Sequence, residues 1–165
     1  MKVVCVGDAY ITDEMMYNGV KPYLSEDDSI EVFFFGDRDK TVMRDVAKSI
    51  ENGNRDAFAI PEGLSEAVKD AELLIVHLCP VTRSLIEAAR QLKAIMSCRG
   101  GLENIDVPAA TDHKVIVSNN PAHNANAVAE YTIGLILSET RNISRSNMAL
   151  RMGTWRTVYP NTATS

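Results

Sequence analysis

The sequence predicts an α/β fold built on a doubly wound, parallel sheet. Three observations predict it: short apolar runs recur along the chain, helix-period stretches separate them, and the intervening loops carry the glycines, prolines and capping residues of strand-to-helix turns. The runs are Lys2–Val6, Ile30–Phe35, Leu73–Leu78, Ala94–Ser97 and Val115–Ser118. Each is short and mostly apolar, the pattern of strands buried on both faces of a parallel sheet.

Between them, Val42, Val46 and Ile50 recur at i, i+4 and i+8, and Leu85, Ile86, Ala89 and Leu92 form a second apolar stripe. Thr12–Leu24 also reads as helical, but Asn18-Gly19 interrupts it and Pro22 lies near its end, so two pieces are expected. Towards the C-terminus, Asn124–Thr140 and, after a break, Ile143–Gly153 predict long helices. The first is apolar at Ala127, Val128, Ile133, Leu135, Ile136 and Leu137.

The 165 residues are 45% hydrophobic and 24% charged, which excludes disorder for most of the chain. Acidic residues outnumber basic ones 22 to 17 and no Lys/Arg run occurs, so neither nucleic acid nor a lipid surface is an expected partner. Cys5, Cys79 and Cys98 lack metal-ligand spacing and are odd in number, which predicts no metal site, no disulfide framework and a reducing compartment. No apolar segment is long enough for a signal peptide or a membrane span, and a cytoplasmic protein is expected.

In a doubly wound sheet, ligands bind outside the carboxyl ends of the strands, so the loops after the strands carry the functional signal. The first, Val6-Gly7-Asp8-Ala9, has one glycine and reads as a tight turn. Neither G-x-G-x-x-G nor G-x-x-x-x-G-K-[ST] occurs anywhere. In His77-Leu78-Cys79-Pro80-Val81-Thr82-Arg83, Pro80 favours an extended turn and Thr82 suits a helix N-cap; the loop is either a plain connection or the wall of a pocket. The third loop runs from Ser97 to Asp106. There the paired Gly100 and Gly101 let backbone N–H groups approach an anion, and the Arg99 guanidinium has the geometry to grip a carboxylate. Asp106 is placed to cap the next helix, with Pro108 in its first turn. His77, His113 and His123 are scattered without an adjacent carboxylate and are expected to be structural.

Gly-Gly-x-x-Asn-Ile-Asp from Gly100, a strand ending Asn120-Pro121, and then Asn-Ala-x-Ala-Val-Ala-Glu-Tyr-Thr-x-Gly-Leu from Asn124 resemble the D-isomer-specific 2-hydroxyacid dehydrogenases, relatives of phosphoglycerate and formate dehydrogenases. The match is strongest from Leu92 to Trp155. The resemblance implies that the Arg99-Gly100-Gly101 loop binds the substrate carboxylate through backbone amides beside the nicotinamide of NAD or NADP. It implies that Asn124 holds the substrate, that Thr132 approaches the cofactor, and that Cys79-Pro80-Val81-Thr82 forms a substrate-side wall. The arginine-serine pair of phosphoglycerate dehydrogenases is missing from that wall, which argues against 3-phosphoglycerate as substrate.

On this resemblance, residues 1–100 form a flavodoxin-like substrate-binding domain. Residues 101–165 supply the opening strand and long helices of a Rossmann cofactor domain, cut off before its fingerprint by the polar stretch Tyr159–Ser165. The family's catalytic Arg, acidic residue and His lie further on, so the 165-residue chain is expected to be an inactive part of an enzyme acting on a 2-hydroxy or 2-keto acid. Asn124 remains open to a second reading as a helix N-cap only, and helices 124–153 are expected to build a homodimer. A different class, a stand-alone flavodoxin-like binding or regulatory module, also explains the missing fingerprint.

Overall fold

The computed structural model describes residues 1–122 and 124–161, so His123 and the tail from Thr162 lie outside the described residues. The chain divides into two compact units, Met1–Pro121 and Ala122–Ser165.

The first unit is a five-stranded sheet in the order β2-β1-β3-β4-β5. Its strands are β1 (Lys2–Gly7), β2 (Ser29–Phe34), β3 (Leu73–Val76), β4 (Ala94–Ser97) and β5 (Ile116–Ser118). Every pairing is parallel, for example Val4 with Glu31 and Leu74, and Ile95 with Leu74 and Val117. The helices between them are α1 (Asp13–Val20), α2 (Lys40–Glu51), α3 (Leu64–Ala67), α4 (Arg83–Ala88) and α5 (Val107–Asp112). The expectation that all five strands are buried on both faces holds for β1, where Val3 to Val6 are wholly inaccessible. It fails at the edges: β2 has no fully buried residue, and Ile116 of β5 is exposed, because an edge strand has a neighbour on one side only.

Two clusters pack the sheet. Val4, Val6, Leu74, Val76 and Ile95 meet Met43, Ile50, Leu64, Leu85, Ile86 and Ala109 on one face, while Val3, Cys5 and Met16 hold the other. The α2 stripe differs from the sequence reading. Met43 and Ile50 are buried and Val46 packs against them, but Val42 is exposed, because α2 turns its Met43 row inward. The capping residues act as expected: Thr82 accepts from Leu85 N and Asp106 from Ala109 N, with Pro108 in the first turn of α5. Thr12 caps α1, which ends at Val20, and a short 3-10 turn at Lys21–Tyr23 makes the second piece.

The strand expected to open a cofactor domain closes this sheet instead. Ile116, Val117 and Ser118 pair with Ala94, Ile95 and Met96, so the compact unit runs to Pro121 and does not end at residue 100. The sequence reading could not place that strand, because a short buried run does not say which sheet it joins.

The second unit holds α6 (Ala125–Thr140) and α7 (Ile143–Arg151). Asn142 breaks the helical path between them at φ +55°, and Arg145 ties the corner by donating to Asn142 Oδ1 at 3.1 Å and Glu139 Oε1 at 2.7 Å. The 16 residues of α6 span about 24 Å, and Val128, Ile133, Leu135, Ile136 and Leu137 are all exposed.

Candidate functional site

The strand order reverses between β1 and β3, and in open α/β sheets the carboxyl edge at such a reversal is where ligands bind. Asp8 follows β1 and His77 follows β3. Gly7 lets the chain turn there: a Cβ on it would stand 2.6 Å from Asp13 N and 2.7 Å from Ile11 O, both backbone atoms. Asp8 N donates to Ile11 O at 2.8 Å, which closes the expected tight turn.

The Asp8 carboxylate is wholly buried and has four donors. Oδ1 accepts from Tyr10 N at 2.8 Å and Ile11 N at 3.3 Å, and Oδ2 accepts from Leu78 N at 3.0 Å and lies 2.8 Å from His77 Nδ1. Burial pushes its pKa up. The His77 hydrogen bond and charge, together with the Tyr10 and Ile11 amides, more than reverse this, so it stays below the ordinary carboxylate range. Tyr10 sets its ring edge-on to His77, with centroids 6.1 Å apart. This corrects the expectation that no histidine has a carboxylate partner. Asp8 and His77 are 69 residues apart in sequence, and only the pairing of β1 with β3 brings them together.

Behind this pair, Asn104 fixes the loop. It is wholly buried and its Nδ2 donates to His77 O at 3.2 Å and Cys79 O at 3.0 Å. Val81 N donates to Asn104 O at 2.7 Å and Asp106 N to Val81 O at 2.9 Å, so the loops after β3 and β4 form one hydrogen-bonded platform. Cys79 sits beneath that platform. Its thiol is wholly buried and raised in pKa, by burial first and by the Asp8 charge second, so the side chain does not face a ligand as a pocket wall would. Burial likewise lifts Cys5 to about 12 and raises Cys98, and none of the three thiols is poised as a nucleophile.

The glycine loop is tied by its carbonyls. Asn119 Nδ2 donates to Gly100 O at 2.6 Å, Ser97 Oγ to Gly101 O at 3.5 Å and Asn120 N to Arg99 O at 3.0 Å. Among the described residues, the Gly100 and Gly101 N–H groups have no acceptor. Gly101 also makes room for Glu103, whose carboxylate occupies the space a Cβ would need. Arg99 does not present an open fork: its Nη2 donates to Glu51 Oε1 at 2.6 Å, with Glu103 at 3.8 Å, and the side chain is mostly buried. Arg99 anchors the loop to α2 through Nη2, while its buried Nη1 has no hydrogen-bond partner among the described residues.

Asn124 and Thr132 belong to the second unit. Asn124 stands at the N-cap position of α6 without making a capping hydrogen bond, which removes the reading of it as a helix cap. The Thr132 hydroxyl donates back to Val128 O at 2.7 Å. Among the described residues, no cluster of three His, Cys, Asp or Glu side chains is arranged for a metal, and no helix is long and apolar enough to cross a membrane.

Residues 32–164 match the family model described as D-isomer specific 2-hydroxyacid dehydrogenase, catalytic domain, and the chain belongs to that family of oxidoreductases. Over 95 residues it is 44% identical to D-3-phosphoglycerate dehydrogenase of Methanocaldococcus jannaschii, a match covering 57% of this chain and 18% of that protein. A solved NAD+-bound 3-phosphoglycerate dehydrogenase of Entamoeba histolytica is 25% identical at a TM-score of 0.55, over 86% of this chain and 39% of that one. The D-lactate dehydrogenase of Aquifex aeolicus, complexed with NAD and lactic acid, matches in fold at a TM-score of 0.60 and 17% identity, over 95% of this chain and 39% of that one. This chain thus spans less than half the length of each relative.

Proposed function

We propose that this chain supplies the substrate-binding side of an enzyme that transfers a hydride between NAD or NADP and a D-2-hydroxy acid or its 2-keto acid. The observation that carries this is the pair of unpartnered N–H groups at Gly100 and Gly101, set at the carboxyl edge of β4 in a chain of this family. Two backbone donors on a rigid loop suit the planar carboxylate common to all such substrates. Arg99 stiffens that loop from Glu51, and the carbonyl of Cys79 belongs to the neighbouring wall. Asn124 is the proposed further substrate contact, and Gly100 and Thr132 are the proposed contacts to the nicotinamide end.

The residues present do not fit the pyrophosphate half of a nicotinamide dinucleotide: no glycine cluster follows a strand at the spacing of a phosphate cradle, and the Thr132 hydroxyl is engaged by its own helix. The nicotinamide, when bound, accepts or gives the hydride. What these 165 residues provide is orientation of the carboxylate, and on this reading they do not turn over by themselves. Three unpaired thiols suit a reducing, cytoplasmic setting.

The test is an amide-resolved NMR titration of the 165-residue chain with lactate, paired with an NADH-oxidation assay with glyoxylate. Saturable shifts confined to the Gly100–Gly101 amides, without turnover, are expected. Unmoved glycine amides at tens of millimolar lactate, or turnover above background, overturn the reading.

A further inference from the structure

The glycine loop is braced at both ends by one short segment of chain. At its start, Arg99 Nη2 donates to Glu51 Oε1 at 2.6 Å, and Glu51 is the last residue of α2. At its end, Arg55 Nη1 donates to Ile105 O at 3.1 Å, and Arg55 Nη2 lies 3.3 Å from Asp106 Oδ2. Glu51 and Arg55 flank a turn in which Gly53 takes φ +90°. Gly53 N donates to Ile50 O at 2.9 Å and Asn54 N to Ser49 O at 3.1 Å, and the wholly buried Ile50 fixes the turn to the core.

The sequence of the loop sets the need for such a brace. Gly100 and Gly101 together have more backbone freedom than any other pair of residues, and N–H groups that are ordered only when a ligand arrives lose affinity to that ordering. Polar groups here are also arranged at a cost to stability. The buried side-chain nitrogen and oxygen atoms without a hydrogen-bond partner among the described residues are Arg55 Nε, Arg99 Nη1 and Asn104 Oδ1, all on this loop or its brace. Arg55 Nε lies 3.8 Å from Asp56 Oδ1, too far for a hydrogen bond. Unsatisfied groups gathered at one place mark a place shaped by more than stability.

We propose that Glu51 and Arg55 are positioning residues, which from outside the loop hold the Gly100 and Gly101 N–H groups in the geometry in which both donate to one anion. This deepens the reading given above and rests on it for the identity of that anion, the substrate carboxylate. Glu51 acts through Arg99, and Arg55 acts through the Ile105 carbonyl and Asp106. The loop is thereby ordered on folding, before the ligand arrives. The Glu51 side chain is 49% exposed, so its ion pair adds little to stability, and its loss is felt in the loop and not in the melting temperature.

The experiment uses the isotope-labelled 165-residue chain and three measurements: NMR order parameters of the Gly100 and Gly101 amides, a lactate titration followed at the same amides, and thermal melts. In the wild-type chain both amides are expected to be as rigid as the strands, with order parameters of about 0.85. Glu51→Ala should lower them to about 0.6 and weaken lactate about tenfold, the scale of ordering one residue's backbone at binding. Its Tm should stay within about 2 °C of wild type. Glu51→Gln, which keeps an oxygen to accept from Arg99 Nη2, should restore both rigidity and affinity. Arg55→Met, which keeps the packed stem and removes the guanidinium, should loosen the same amides from the other end. Amides as rigid in Glu51→Ala and Arg55→Met as in wild type, a Glu51→Gln chain as loose as Glu51→Ala, or loosening spread evenly over every loop of the first unit overturns the proposal. If lactate moves the wild-type glycine amides while neither variant loosens them or weakens binding, only this inference fails. If both variants loosen the amides while lactate leaves them unmoved in every chain, the brace stands and the carboxylate reading of the loop fails.

Discussion

Replacing Asp8 with Asn tests the most heavily satisfied polar group in the structure. Four donors surround the carboxylate, two on each oxygen, and the three backbone N–H groups among them cannot accept from a side-chain amide. Turned one way, the Asn NH2 meets the N–H groups of Tyr10 and Ile11; turned the other, it meets the Leu78 N–H, while a neutral His77 can shift its proton to Nε2 and accept at Nδ1. At least one buried donor then loses its acceptor at about 1–3 kcal/mol, and the charge-assisted acceptor of the remaining bonds is replaced by a neutral one, so destabilisation of about 2–3 kcal/mol is expected. For a unit of this size that corresponds to a fall in Tm of roughly 10 °C at neutral pH.

The effect has a pH signature. The folded-state pKa of Asp8 is depressed, so its contribution is present above the ordinary carboxylate range and is lost as pH falls through the folded value. Circular dichroism melts of both proteins between neutral and acid pH should therefore show a gap that narrows in acid. A variant melting within about 1 °C of wild type at neutral pH, or a gap that widens in acid, would refute the reasoning.

Two further outcomes are expected. Gly7→Ala forces a Cβ into the backbone of Ile11–Asp13, where no flexible side chain can yield, and should destabilise the first unit by about 3 kcal/mol in a denaturant titration; an unchanged midpoint would show that the turn relaxes at no cost. The exposed apolar face of α6 is expected to be covered by a second copy of the chain, giving a light-scattering mass about twice the 18.1 kDa chain, which Leu135→Asp with Ile136→Asp should halve. A monomeric wild-type chain would sink that expectation.

The amino-acid sequence by itself determined the kind and order of elements. Alternating apolar runs and helical stripes specify strands and helices locally, and Thr82 and Asp106 act on amides three residues away, so the caps, the five strands and the glycine loop were legible without tertiary information. The Asn142 break between α6 and α7 was equally local.

What lay beyond local pattern was decided by sheet order and by the direction each side chain takes. Val42 and Met43 are both apolar, and only the packing of α2 on the sheet sends one to solvent and the other to the core. That Glu51, 48 residues away, takes the Nη2 end of the Arg99 guanidinium is likewise visible only in the fold. Asp8 and His77 read as a turn residue and a stray histidine until β1 and β3 paired across the point where the sheet reverses, because a hydrogen bond of this kind forms between chain segments that share a place in the fold and have no relation in sequence.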